Sequence, residues 1–167
     1  MTVLAELPTP GGALVVRRAT AHDLPALVRL LADDQLGATR DGPDDDAGLE
    51  PYRRAFAALD ADPAHLLVVA APRDGDAREV LATLQLSFLP GLARRGALRA
   101  QVEAVRVAAA HRSGGAGTAL LTWAVDEARR RGCALVQLTT DARRAGAHRF
   151  YERLGFVPSH VGFKLLL

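Results

Sequence analysis

The sequence predicts an α/β (α+β) domain built on a mixed sheet. Its elements read in the order β-α-α-β-β-β-α-β-α-β, an arrangement that layers helices against a sheet. Apolar residues make up 49% of the chain and charged residues 24%, a balance that supports a packed core. The 167 residues show no internal repeat and no linker, so residues 1–167 are expected to form one domain.

Each element has its own signal. "ALVVRRAT" (13–20) reads as the first strand, and Thr20 with Asp23 forms an imperfect capping box before a helix. Leu24, Leu27, Val28, Leu30 and Leu31 give that helix an apolar stripe. "DDQLGATRDGPDDDAG" (33–48), with six aspartates, glycine and proline, is a loop. A second helix over roughly 49–61 carries Leu49, Tyr52, Phe56 and Leu59 on one side.

Two strands follow. "HLLVVAA" (65–71) is a short apolar run of the buried type, and "EVLATLQLSFL" (79–89) alternates, with Leu84, Leu86 and Phe88 opposite Thr83, Gln85 and Ser87. "LRAQVEAVRVA" (98–108) is a further strand. A helix over 117–131 then turns Leu120, Leu121, Ala124, Val125 and Ala128 inward, with Asp126–Arg130 and Glu127–Arg131 as i,i+4 pairs outside. "ALVQLTT" (134–140) is a buried-type strand, "RRAGAHRFYERLG" (143–155) a short helix, and "FVPSHVGFKLLL" final strand material.

Composition excludes several function classes. No window reaches the ~18 apolar residues of a membrane span, and the N-terminus lacks the pattern of a secretory signal. One cysteine, Cys133, forms no internal disulfide framework, so a cytoplasmic protein is expected. Five scattered histidines give no metal-ligand spacing, and no metal is expected. The net charge of +2 is unevenly spread: residues 1–83 carry −6 and residues 84–167 carry +8. The basic half favours a polyanionic ligand. It lacks the interleaved aromatics of a nucleic-acid surface, so no nucleic-acid partner is expected.

"HRSGGAG" (111–117) sits between a strand and a helix in that basic half. A helix N-terminus exposes N–H groups and a positive dipole end, and glycines admit a ligand close to the backbone. This is a phosphate-binding arrangement, open to three readings. A nucleoside-triphosphate loop requires a lysine, and the only lysine is Lys164. A dinucleotide fingerprint finds Gly115 and Gly117 in place and Asp141 at the end of the next strand. However, Leu120 holds its third glycine position and only 26 residues follow Asp141.

The third reading is a resemblance. "RSGGAG" resembles the [Q/R]-x-x-G-x-[G/A] loop of the GNAT family of N-acetyltransferases, and "AHRFYERLGF" (147–156) resembles that family's A-x-x-x-Y-x-x-x-G-F helix. "VRVAAAHRSGGAG" is similar to its fourth strand feeding the pyrophosphate loop. The resemblance implies a GNAT fold, a mixed sheet of about six to seven strands flanked by four helices. It further implies acetyl-CoA as cosubstrate and transfer of its acetyl group to a primary amine of a small-molecule acceptor, by direct attack in a ternary complex. The other function left open is a catalytically silent acetyl-CoA-binding sensor or partner module, and a homodimer is a further expectation.

The same resemblance implies the site. Arg112 and the backbone N–H groups of Ser113, Gly114, Gly115, Ala116, Gly117 and Thr118 would hold the pyrophosphate. The backbone near Val105 and Val107 would bond the pantetheine arm and polarise the acetyl carbonyl. Tyr151 would be the general acid at the sulfur, the other reading being an aromatic core pair with Phe150. Two positions depart from the family pattern: Ser113 stands where many members have glycine, and Arg144 where many have a pantetheine-binding asparagine. Arg144 would instead reach phosphate or substrate, while His148 and His111 either touch the cofactor or are partly exposed structural histidines.

Glu103 is the candidate base. It is an isolated carboxylate in an apolar strand, where half-burial would raise its pKa. The other reading pairs it with Arg99 or Arg106 at the sheet surface. Period-2 alternation places Gln101, Glu103, Val105 and Val107 on one face, unless a bulge intervenes.

Overall fold

The computed structural model describes residues 2–33, 41–42, 47–76 and 78–167. The acidic "DGPDDD" stretch of the sequence lies largely outside them. Six strands form one sheet in the order β1-β2-β3-β4-β5-β6: β1 (Val3–Leu7), β2 (Leu14–Arg18), β3 (His65–Pro72), β4 (Ala82–Leu89), β5 (Arg99–Val107) and β6 (Leu135–Leu138). Neighbours are antiparallel except β5 and β6, which are parallel. Among the described residues five helices accompany them: α1 (Leu24–Ala32), α2 (Glu50–Ala61), α3 (Ala93–Gly96), α4 (Ala116–Arg130) and α5 (Ala145–Arg153). Segment α3 is a four-residue turn in which Arg94 and Arg95 take left-handed φ of 55° and 61°.

The pleat splits the sheet into two apolar faces. Leu14, Val16, Leu66, Val68, Leu84, Leu86, Ala100 and Val102 point to one side, where Leu120, Leu121, Trp123, Ala124 and Ala128 of α4 cover them. Val69 and Ala19 point to the other, against Leu24 and Leu27 of α1 with Tyr52 and Phe56 of α2. That second face also buries an ion pair. Arg17, 2% exposed, donates two 2.7 Å bonds to Asp23, 5% exposed, which also accepts the Thr20 N–H at 2.7 Å. Burial pushes the Asp23 carboxyl up, but the Arg17 and Thr20 hydrogen bonds outweigh it and hold it below its ordinary value.

The structure departs from the sequence reading in four places. Strand β1 pairs with β2 through a tight turn at residues 8–13, where no strand is expected from the sequence. The segment from Phe156 onward takes no regular secondary structure and adds no strand to this sheet. On α4, Asp126 pairs with Arg129 at 2.7 Å rather than with Arg130, which turns to Glu127 at 2.5 Å. The expected Glu127–Arg131 pair forms at 2.7 Å.

The fourth departure is a bulge in β5. The register steps from Glu103–Gln85 to Arg106–Thr83, leaving Ala104 and Val105 opposite Leu84 alone, with Ala104 at φ 51°. One extra residue reverses the side-chain phase. Val105 and Val107 therefore join Ala100 and Val102 in packing against the α4-side core, and do not share a face with Glu103.

Candidate active site

Strands β5 and β6 pair only from Arg99–Leu135 to Val102–Leu138. Beyond that point β5 continues to Val107 with no β6 partner, so the two parallel strands part at their C-terminal ends. The bulged half of β5 leads into the glycine loop and α4, and Phe150 of α5 lies beside Gly117. Open α/β sheets bind ligands at such a point.

The loop is shaped by its backbone. A 3₁₀ turn, Ala109–His111, ends β5, then Ser113 at φ 72° and Gly115 at φ 85° turn the chain into α4. Among the described residues, the N–H groups of Ser113, Gly115, Ala116, Gly117 and Thr118 meet no backbone carbonyl. Gly115 caps α4 without a side-chain bond. A row of free donors at the positive end of a 15-residue helix is a nest for an anion. These residues fit a pyrophosphate group, and a nucleotide cosubstrate such as acetyl-CoA would be held here by main-chain donors.

The loop is braced from two sides by contacts that sequence reading missed. From behind, Gly11 N–H donates to the Gly114 carbonyl at 3.2 Å. Pro10 lies so close to Gly115 that a Cβ there would stand 2.7 Å from its Cδ. From the α1 side, Asp33 accepts the Ala109 N–H at 3.1 Å and bonds the Arg112 guanidinium at 3.0 Å. Arg112 also donates to the Asp33 carbonyl at 2.6 Å and to the Val107 carbonyl at 3.1 Å. Its side chain thus ties β5 and α1 to the loop, and the anion-facing donors are those of the main chain.

Tyr151 comes to the cleft from α5. Its ring packs edge-on to Phe150 at 5.2 Å and to Phe156 at 5.9 Å. The ring thus belongs to an aromatic cluster on the core, with Phe150 as its partner. Burial raises the phenol above its ordinary value, and the charges of Arg106 and Arg144 oppose that rise. Arg106, which the sequence names only as a partner for Glu103, thus lies near enough for its charge to act on Tyr151, and it donates to the Val105 carbonyl at 2.9 Å. His148 turns its ring Nε2 to the Asp141 carbonyl at 3.1 Å. Arg143 bonds Asp141 twice at 3.0 Å and holds its carboxyl well below the usual range.

Glu103 stands apart from this group. It is exposed rather than half-buried, and makes no ion pair among the described residues, with Arg99 or with any other. The part of the second face around it is polar: His65 Nδ1 lies 2.8 Å from Ser87 Oγ, Gln85 donates to the same oxygen, and Gln137 donates to Gln101 at 2.8 Å. Cys133 packs at the edge of the core, and burial raises its thiol. Among the described residues no group of three metal-ligating side chains occurs, and no helix is long and apolar enough to cross a membrane.

A six-stranded mixed sheet that parts beside a glycine-capped helix defines an acetyltransferase-type fold. Residues 24–156 match the acetyltransferase (GNAT) family, and the chain belongs to it. It is 49% identical over 47 residues to the aminoalkylphosphonate N-acetyltransferase of Salmonella typhimurium, a match spanning 28% of this chain and 30% of that protein. A transcriptional regulator from Bacillus halodurans superimposes with a TM-score of 0.85 at 42% identity, covering 92% of this chain and 99% of that one. A predicted acetyltransferase from Clostridium acetobutylicum, solved with acetyl-CoA, shares the fold at a TM-score of 0.68 and 19% identity, over 92% and 96% of the two chains.

Proposed function

We propose that this chain is an acetyl-CoA-dependent N-acetyltransferase acting on a primary amine of a small molecule. The observation that carries this reading is the nest of main-chain donors from Ser113 to Thr118 at the cleft where β5 and β6 part, with Tyr151 on the facing helix. Acetyl-CoA supplies an activated thioester. Pyrophosphate binding at the nest would align its arm along the bulged half of β5. There the backbone of Val105 and Val107 lies alongside, with Arg144 and His148 bordering it from α5.

An acceptor amine with a pKa near ~10.4 must lose a proton before it attacks the thioester carbon. Glu103 takes that proton through water, because its exposed carboxylate faces the polar side of the sheet. Tyr151 then gives its proton to the departing thiolate. Burial holds its pKa above the ordinary value, so the phenol carries its proton at neutral pH. Both steps fall within one ternary complex and leave no covalent intermediate on the protein.

The Salmonella relative adds an acceptor class to test, a small amine bearing an anionic group. Arg106 and Arg144 beside Tyr151 support it. The experiment is a thiol-release assay with acetyl-CoA against aminoalkylphosphonates, amino acids, aminoglycosides and lysine peptides. Turnover with one small amine supports the proposal. Acetyl-CoA binding without turnover on any amine would favour a silent sensor, the reading suggested by the regulator from Bacillus halodurans.

A further inference from the structure

Asp33 caps the C-terminus of α1, and its carbonyl is among the acceptors that a helix end leaves without an intrahelical partner. Arg112 donates to that carbonyl at 2.6 Å, as cationic side chains do at the last turn of a helix. The exchange is reciprocal. A single carboxylate oxygen of Asp33, Oδ2, accepts the Ala109 N–H at 3.1 Å and the Arg112 guanidinium at 3.0 Å. Ala109 opens the 3₁₀ turn that leads from β5 into the glycine loop, and its N–H is the matching orphan at a helix start. Each element thus caps the other.

These contacts fall where the loop is strained. Ser113, whose N–H is the first of the free donors, has φ 72°, a left-handed conformation that a residue with a Cβ keeps only where its surroundings fix it. The residues on either side are the fixed ones. Arg112 is held by Asp33 and by the Val107 carbonyl at 3.1 Å, and Gly114 by the Gly11 N–H at 3.2 Å. The Asp33 and Arg112 side chains are both about half exposed, so their ion pair adds little to global stability. Charge alone also argues against an aspartate here, since a carboxylate beside an anion site repels the anion. What Asp33 offers the loop is geometry.

We propose that Asp33 is a positioning residue for acetyl-CoA: it caps the 3₁₀ turn and pins Arg112, and so presets the main-chain donors from Ser113 onward for the pyrophosphate. The proposal rests on reading the loop as the pyrophosphate site. Donors ordered before the ligand arrives lose less freedom on binding, and affinity rises accordingly.

The test is isothermal titration of the full chain with CoA, on the wild type, Asp33→Ala and Asp33→Asn, with melting temperatures measured in parallel. The main-chain carbonyl at position 33 is present in all three, so the comparison isolates the side chain. Asp33→Asn removes the charge but keeps an oxygen able to accept both bonds; Asp33→Ala removes both. The Kd should rise roughly 10-fold in Asp33→Ala and stay within about threefold of the wild type in Asp33→Asn. Neither Tm should shift by more than roughly 2–4 °C. Asp126→Ala, which removes an exposed pair with Arg129 on α4, should leave the Kd unchanged.

An unchanged Kd in Asp33→Ala would overturn the proposal, as would an equal loss in Asp126→Ala. Tighter binding in both Asp33 variants would overturn it too, because the carboxylate would then act only by repelling the anion. An asparagine variant as weak as the alanine, or a loss in Asp33→Ala matched by a collapse of Tm, has the same consequence. A wild type that binds neither acetyl-CoA nor CoA would sink the reading of the loop itself and this proposal with it, a failure distinct from all the others.

Discussion

Gly115→Ala probes the cradle where its geometry is tightest. Gly115 has φ 85°, a conformation that costs an L-residue roughly 1–2 kcal/mol. The new methyl would sit 2.7 Å from Pro10 Cδ, inside contact distance. Pro10 is a ring in the β1–β2 turn, which is itself bonded to the loop through Gly11 and Gly114, so it cannot swing aside. Overpacking of this kind costs about 1–3 kcal/mol. The smaller entropy of an unfolded alanine returns roughly 0.4–1 kcal/mol. At the centre of these ranges the net loss is about 3 kcal/mol, or a fall in Tm of roughly 6–12 °C for a chain of this length. Acetyl-CoA affinity should fall with it, because Gly115 aims the donors that follow. Gly117→Ala is the control: its methyl would meet Val107 and Phe150 at ordinary distances of 3.5 and 3.6 Å. It should leave Tm unchanged or slightly raised, since alanine favours helix by up to ~1 kcal/mol. Thermal melts followed by calorimetry on both variants check this. An unchanged Tm for Gly115→Ala, or equal losses for the two, would refute the reasoning.

Three further substitutions test other parts of the account. Tyr151→Phe should lower kcat by roughly 10²-fold with little change in KM for acetyl-CoA, measured by thiol release; an unaltered kcat would remove its acid role. Glu103→Gln should displace the rise of kcat with pH that a titrating base produces, and an unaltered profile would assign the base elsewhere. Asp23→Asn removes the carboxylate half of a buried ion pair and should cost about 3–5 kcal/mol in denaturant melts. Since the folded Asp23 pKa is depressed, its contribution is present above the unfolded value of ~3.9 and is lost as pH falls through the folded one. The wild-type and Asp23→Asn stabilities should therefore converge in acid, and parallel curves would contradict the ion pair's role.

The fold was legible where side-chain pattern alone decides it. Alternation in Leu84, Leu86 and Phe88, and the stripe of Leu120, Leu121 and Ala124, located β4 and α4 because burial on one face selects period 2 or 3.6. The loop and Tyr151 were picked out by their resemblance to two motifs of the family. What escaped was set by distant contacts or by backbone. The β5 bulge rests on a positive φ at Ala104, where no glycine announces it, and it moved Val105 and Val107 to the other face. The Arg112–Asp33 contact joins residues 79 apart in sequence, so no local pattern announces it. Strand β1, five residues with no apolar periodicity to separate it from the turn, exists by pairing with β2. The segment after Phe156 has the alternation of a strand but no partner in its own sheet.

Isothermal titration of the full chain with acetyl-CoA, alongside free CoA, measures the central claim directly. The account predicts saturable one-to-one binding of acetyl-CoA with a Kd on the order of micromolar, consistent with ordinary substrate affinities. Free CoA, which keeps the pyrophosphate, should bind as well, and Gly115→Ala should weaken both. Absence of heat and of competition with either ligand would contradict it, whatever the family to which the chain belongs.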